Sequence, residues 1–365
     1  MNTKLKNIIM VVLGVLVIFG GCLFCILMPK QEYSESERRP LEKFPQVSAS
    51  SLISGDFMSG FEKYATDNFP LRDAFRAIKA RITYSLFGQK DNNGIYLYED
   101  HIASMDYPYN KNSVDYAANR FEYLYQKYLQ NSKVYFSVIP DKSTLLADDA
   151  GVLGYNPDQL IDDLKGKMPY GQYIDLLPLL TPQDYYHTDS HWRQECIVDV
   201  AEKLAAGMGA RLPQESYTTH TAETPFYGVY YGQAAIGGKG DTISYLTNST
   251  IDGLTAYDHQ NQKEIPVYDT ARLTDRDPYE LYLSGPLSLV TVENPANPNG
   301  KHLVLFRDSF GSSVAPLLAQ GYEKVTLVDI RYIGLDYVST LVDYQNADVL
   351  FLYSTSVLNN SNTIK

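Results

Sequence analysis

The last third of the chain carries three short apolar runs, Leu303–Phe306, Val325–Val328 and Val349–Tyr353, separated by helix-patterned segments at Gly311–Gln320 and Gly334–Gln345. Runs this short and apolar throughout read as strands buried on both faces, so the spacing is that of a βαβαβ unit. The same alternation occurs earlier, from Gly94–Tyr98 through a helix pattern over Val114–Leu129 to the apolar run Val134–Ile139. Strands that alternate with helices predict an α/β fold with a mostly parallel sheet. The carboxyl edge of such a sheet is where sites are built, and Pro140-Asp-Lys-Ser-Thr144 leaves the Val134–Ile139 strand at that edge.

The rest of the chain is arranged around this frame. Two amphipathic helices precede it, with Phe57, Phe61 and Tyr64 on the first and Phe75, Ile78, Ile82 and Leu86 on the second, parted by Pro70. Residues 221–299 are rich in Gly, Pro, Asp and Tyr and read as loops and hairpins inserted into the α/β frame. The organisation expected is one catalytic-type domain over 52–356 with that insertion, followed by a tail over 357–365. Cys196 is the sole cysteine beyond the N-terminal segment, so no disulfide framework is available.

Ile8 to Met28 is free of charge and proline, and at 21 residues it is long enough to span a bilayer as a helix. Lys4 and Lys6 precede it. The expectation is a short cytoplasmic tail over 1–7, an uncleaved anchor over 8–28 and a proline-punctuated, weakly structured stalk over 29–51, with the remainder extracytoplasmic. A cleaved signal peptide would show a shorter apolar core and a small-residue cleavage site. A lipoprotein site at Cys22 conflicts with an apolar run that continues past it.

The formal net charge of −12 and the absence of any Lys/Arg run exclude a nucleic-acid partner, which needs a basic footprint. The chain has 31 tyrosines against 14 phenylalanines, and amphipathic rings in that excess suit a wet, polar ligand such as a sugar. For any single tyrosine, half-buried packing is the plainer role.

Two stretches carry chemistry. Tyr185-Tyr-His-Thr-Asp-Ser-His-Trp-Arg193 holds two of the six histidines and the only tryptophan, ahead of a helix pattern through Val200 and Leu204. His302-Leu-Val-Leu-Phe-Arg-Asp-Ser309-Phe-Gly reads as a buried strand that turns through small residues into a helix, the way a nucleophile is presented. Asp189, His191 and Ser309 supply the residue types of an activated serine: a hydroxyl, a base to take its proton and a carboxylate to orient the base. In an extended segment positions i and i+2 share a face, so Asp189 and His191 can enter one pocket. A rival uses the same alternation, since His187, Asp189 and His191 would all face one way and offer a zinc-type ligand set. The bland readings are a helix cap for Ser309 and packed polar roles for Asp189 and His191.

Thr188-Asp-Ser-His-Trp192, taken with Arg307-Asp-Ser-Phe-Gly311, resembles the bacterial DHHW family and the SGNH-hydrolase-like domain of alginate O-acetylation proteins. The opening helices, the Val134–Pro140 strand, Phe226-Tyr-Gly-Val-Tyr-Tyr231, Gly240-Asp-Thr-Ile243 and the Val349–Tyr353 strand extend the likeness over roughly residues 35–356. The resemblance implies a three-layer α/β sandwich with Ser309 as nucleophile, His191 as base and Asp189 as its carboxylate, working without metal or cofactor. It implies an O-acyltransferase acting on a cell-envelope polysaccharide, supplied by a membrane-bound O-acyltransferase; a carbohydrate esterase and a non-catalytic glycan-binding scaffold are the alternatives. Ser190 departs from the Asp-His-His-Trp pattern, and neither the Asp-x-x-His spacing nor the Gly-x-Asn-Asp block of ordinary SGNH hydrolases is present. Oxyanion binding therefore falls to the Ser309 backbone N–H and Arg307, and sugar contact to Tyr227, Tyr230 and Tyr231.

Overall fold

The strand signals resolve, in the computed structural model, into one eight-stranded sheet. Its members are β1 (Lys133–Ile139), β2 (Gln172–Tyr173), β3 (Thr255–Asp258), β4 (Lys263–Ile265), β5 (Leu289–Glu293), β6 (His302–Arg307), β7 (Lys324–Val328) and β8 (Asp348–Ser354). They lie in the order β4-β3-β5-β7-β6-β8-β1-β2. The run from β7 through β6, β8 and β1 to β2 is parallel, and β4, β3 and β5 extend it antiparallel. The structure describes residues 3–20, 23–24, 27–298 and 300–365.

Alternation along each central strand sorts its side chains between two cores. Leu303 and Leu305 of β6 join Leu350 and Leu352 of β8 on one face, under α4 (Val198–Gly207) and α5 (Phe310–Ala319). Val304, Phe306, Val349 and Phe351 face the other way, against α1 (Lys111–Leu124) and α3 (Pro157–Lys167). Each such side chain contributes about 1.5–3 kcal/mol on full burial, which is why these strands are apolar throughout. Local signals set the helix ends: Asn110 caps α1 through Ser113 N–H, and Asn156 caps α3 with Pro157 at its first turn. A further helix, α2 (Lys142–Ala150), leaves the carboxyl end of β1.

Several elements differ from the sequence reading. Ile95–Tyr98 does not enter the large sheet but pairs antiparallel with His101–Ser104 in a small one. The inserted region is only partly decoration, because β3, β4 and β5 complete the main sheet; Ala256 and Asp258 of β3 are buried and alternate with exposed Thr255 and Tyr257. The helix expected over Gly334–Gln345 shortens to Leu335–Val338. The expected tail is packed: Leu358 and Ile364 enter the core beside α1, and Ser361 N–H donates to Ser113 Oγ at 2.6 Å.

The chain divides into two compact units, residues up to Gln89 with Gly232–Gly237, and Lys90–Tyr231 with Gly238–Lys365. The two opening helices therefore sort with the N-terminal segment, not with the sheet. The expected stalk is ordered within that first unit. Arg39 forks onto Asp67 at 2.8 and 2.7 Å, and Glu37 takes Arg72 at 2.7 Å and Arg76 at 3.3 Å. Phe44 sets its ring edge-on to Phe57, Phe61 and Tyr64. Charged residues that read as a solvated spacer are thus ion-pair partners of the helices that follow. The span expected over 8–28 includes Gly21, Cys22, Cys25 and Ile26, which lie outside the described residues. Among the described residues no helix is long and apolar enough to cross a membrane.

Candidate active site

The 185–192 segment is a closed loop, not an extended strand. Tyr185 and Trp192 bridge antiparallel at its neck, Tyr186 N–H donates to His191 C=O at 3.0 Å, and Arg193 N–H to Asp184 C=O at 2.7 Å. A loop this tight leaves backbone groups unpaired, and neighbouring side chains satisfy them. The Asp241 carboxylate accepts from the N–H groups of His187 and Thr188, both at 2.7 Å, and from the Thr188 hydroxyl. From the carboxyl end of β1, buried Lys142 donates to the carbonyls of Tyr186 and His187 at 2.6 and 2.9 Å, and the Tyr185 hydroxyl donates to Pro140 C=O. Trp192 Nε1–H reaches Ser313 Oγ on α5 at 2.7 Å. The loop is thereby fastened to the carboxyl edge of the sheet.

Gly228 shows how closely the neighbouring chain approaches. A Cβ there would stand 2.3 Å from Asp189 Cβ and 2.4 Å from Thr188 O, so only glycine fits. With glycine, Val229 N–H donates to Asp189 Oδ2 at 2.9 Å.

Ser309 stands between the end of β6 and the start of α5. Asp308 pins this turn, its Oδ2 accepting from Ser354 N–H at the end of β8 and its Oδ1 from Phe310 N–H. At Gly311 an added Cβ would lie 2.6 Å from Arg307 Cβ, so the strand passes into the helix without slack. Ser309 occupies the N-cap position but makes no side-chain cap bond. Its Oγ lies 2.7 Å from His191 Nε2, and His191 Nδ1 lies 2.6 Å from Asp189 Oδ1. Asp189, His191 and Ser309, from two distant stretches, form one line.

The electrostatics follow from burial and pairing. Burial alone would raise the Asp189 carboxyl, but the charge and hydrogen bonds of His191, with the Val229 N–H, hold it well below the usual carboxylate range. Burial would likewise lower His191; the Asp189 charge and hydrogen bond outweigh it and leave the imidazole above its ordinary value. An ionised Asp189 makes Nδ1 the protonated nitrogen, so Nε2 faces the Ser309 hydroxyl as an acceptor.

The remaining sequence candidates separate. Arg307 is buried and its guanidinium donates to the carbonyls of Asp308 and Leu287, with Asp329 3.7 Å away; among the described residues none of its hydrogen bonds goes to Ser309. Tyr227 and Tyr231 set their rings 4.6 Å apart with Tyr227 exposed, whereas the Tyr230 ring lies over Lys142 Nζ at 5.4 Å. His187, Asp189 and His191 are not one ligand set, because the bent loop stacks His187 on His101 instead. Sequence reasoning missed Tyr279, which stacks on His191, and the roles of Asp241, Lys142, Gly228 and Ser313. The Pro140–Thr144 and Gly240–Ile243 stretches signalled two of these.

A serine at a strand-to-helix turn thus faces an Asp-x-His pair from a separate loop at the carboxyl edge of a mostly parallel α/β sheet, the edge where such folds build their sites. The family model for DHHW proteins matches residues 37–167. A solved DHHW family protein from Eubacterium siraeum is similar at 21% identity and a TM-score of 0.60, over 75% of this chain and 95% of that one. Bacillus cereus PatB1 is similar at 20% identity and a TM-score of 0.60, over 75% of this chain and 99% of its own. PatB1 with a sulfonyl adduct aligns at 20% identity and a TM-score of 0.56, over 72% and 97% of the two chains. No curated protein matches the sequence.

Proposed function

We propose that the chain is an extracytoplasmic O-acyltransferase, held at the cell membrane by its N-terminal apolar span, that moves an acetyl-type acyl group through Ser309 onto a hydroxyl of a cell-envelope polysaccharide. The observation that carries this reading is the line from Asp189 Oδ1 through His191 to Ser309 Oγ, with separations of 2.6 and 2.7 Å. The motif likeness to alginate O-acetylation proteins, and a fold shared with a protein solved with a sulfonyl adduct, support acyl chemistry at a nucleophile.

In this mechanism His191 Nε2 takes the Ser309 proton as Oγ attacks the acyl carbonyl. The oxyanion of the tetrahedral intermediate is met by the Ser309 backbone N–H. Collapse breaks the bond to the donor alcohol, which leaves with the proton from His191, and an acyl-serine remains. A glycan hydroxyl then gives its proton to His191, attacks the ester and restores Ser309. Asp189, held ionised, stabilises the imidazolium in both halves. Exposed Tyr227, with Tyr231 beside it, offers an aromatic face to the acceptor sugar. The donor is a membrane-bound O-acyltransferase, which requires the site to work at the bilayer surface.

Intact-mass measurement after incubation with an activated acetyl ester should show one acetyl group on Ser309, discharged on addition of a glycan acceptor. Absence of the adduct together with unaltered turnover in Ser309→Ala would refute the assignment. Free acetate as the sole product with every acceptor identifies an esterase instead. Protease added to intact spheroplasts should degrade the large domain, and protection would place it on the cytoplasmic side.

A further inference from the structure

The loop that carries Asp189 and His191 holds another imidazole, engaged elsewhere. The His187 ring stacks on His101, centroids 4.5 Å apart and planes 29° apart. Asp100 joins them, its Oδ2 3.2 Å from His187 Nδ1 and its Oδ1 3.9 Å from His101 Nε2. One donor atom from each residue lies within 4.8 Å of the other two. Ligands held about 2.0–2.2 Å from a tetrahedral ion stand roughly 3.4 Å from one another, so small side-chain rotations bring all three onto one ion.

The ring nitrogens are poorly occupied otherwise. His187 Nδ1, the nitrogen that faces Asp100, has no hydrogen bond of acceptable geometry; His101 is 2% exposed, turns Nε2 toward Asp100 and leaves its other nitrogen, Nδ1, without a partner. Buried imidazole nitrogens without partners are rare enough to need a reason, and the 3.9 Å from His101 Nε2 to the Asp100 carboxylate is too long to be a hydrogen bond. The Asp100 side chain is 74% exposed and that of His187 41%, so the group opens to solvent on one side while His101 closes the other. Charge around it is balanced. Lys142 Nζ binds His187 C=O, but Asp241 sits on His187 N–H and Asp100 adds a second carboxylate.

We propose that Asp100, His101 and His187 form a divalent-cation site of zinc type, two imidazoles and one carboxylate with a coordination position left for water. Two nitrogen ligands select against magnesium and calcium, which prefer all-oxygen sets. The ion ties the His101–Ser104 strand to the loop bearing Asp189 and His191, reinforcing the bond from Ile102 N–H to His187 C=O at 2.8 Å. It is a clamp and takes no part in proton transfer, for the line from Asp189 to Ser309 includes none of its ligands.

The test uses the detergent-solubilised full chain, stripped with a chelator and titrated with Zn²⁺ alone. One ion should bind per chain at micromolar concentration or tighter, and a hundredfold excess over Kd should raise Tm by about 5 °C. Asp100→Asn and His187→Asn, both at solvent-facing positions, should each weaken binding at least tenfold and abolish the Tm shift. His101→Asn should do the same if it folds, and the two exposed variants decide the matter if it does not. Failure of the wild type to bind Zn²⁺, or variants that bind as tightly as wild type, overturns the proposal. The acyl-serine measurement is independent of either result.

Discussion

The phenol ring of Tyr279 lies flat on the imidazole of His191, centroids 3.8 Å apart and planes 11° apart, while its hydroxyl donates to Ser313 Oγ at 2.8 Å. The stack fixes the plane of the base, so that Nδ1 and Nε2 stay on the line between Asp189 and Ser309. Tyr279→Phe keeps that face and loses one hydrogen bond, a change of about 1 kcal/mol in stability with near-normal turnover; Ser313 Oγ retains Trp192 Nε1–H. Tyr279→Ala leaves a cavity, should destabilise by about 3–5 kcal/mol, and should lower kcat with little change in KM. Thermal melts and ester kinetics on both variants check this, and equal kinetics in the two would remove Tyr279 from a positioning role.

A base must be neutral to take a proton. With the His191 pKa raised by Asp189, kcat/KM should climb with pH along a limb centred above ~6.5, the ordinary histidine value. Stability has the opposite sign: protonated His191 stabilises the fold fully below ~6.5, and the contribution is lost as pH rises through the folded pKa. For Asp189, held low, the contribution is present above ~3.9 and is lost as pH falls through the folded value. Asp189→Asn should move the activity limb to lower pH and reduce kcat on the order of 10⁴-fold. pH–rate profiles of the two proteins decide it, and a limb that stays in place counts against the pairing.

Ser309→Ala should remove turnover, a drop on the order of 10⁶-fold by analogy with a well-studied protease, with a stability loss limited to the hydrogen bond shared with His191, about 0.5–1.5 kcal/mol. The reason lies in the cap position. An N-cap hydroxyl is worth roughly 0.5–2 kcal/mol where it bonds the helix, but the Ser309 hydroxyl makes no such bond. A melting temperature within a few degrees of wild type, with lost activity, is the expected outcome.

How much of this was legible in the sequence depended on the range of the interaction. The buried strands from Val134 to Ile139 and from Leu303 onward announce themselves locally, because a strand covered on both faces has no room for polar residues. Asp189, His191 and Ser309 were readable as residue types in short motifs. That Ser309 meets the other two was implied by the family resemblance alone, since the backbone between them carries no local trace of it. Reading 185–193 as extended grouped His187 with Asp189 and His191; a hydrogen bond across the neck, from Tyr186 N–H to His191 C=O, bends the loop and gives His187 other neighbours. Tyr279 was invisible for the same reason, and Asp241 stood in a flagged stretch without its role being readable, as each acts through a contact far along the chain. Arg307 beside the serine looked like an anion binder, but a guanidinium at a strand end was needed by buried carbonyls and Asp329.

Asp241→Ala strips the loop of the acceptor for two backbone N–H groups and one hydroxyl, and hydrogen bonds to a charged group are worth about 1.5–3 kcal/mol each. A loss of several kcal/mol and a large fall in kcat are expected. Gly228→Ala tests the same loop from outside, where a Cβ 2.3 Å from Asp189 Cβ must push the carboxylate away. Overpacking of this kind costs about 1–3 kcal/mol. Calorimetry with ester kinetics should show activity falling further in Gly228→Ala than the stability loss explains.

The neck at Tyr185 and Trp192 encloses both Asp189 and His191 in one short loop, whereas Ser309 reaches His191 across a separation of 118 residues. The first distance is set by a few consecutive peptide units, the second by the whole sheet. Warming, denaturant or a loosening substitution in the core therefore acts on the two unequally. The proton acceptor stays assembled while the gap to the hydroxyl widens, and the molecule fails in sequence, losing attack before it loses basicity.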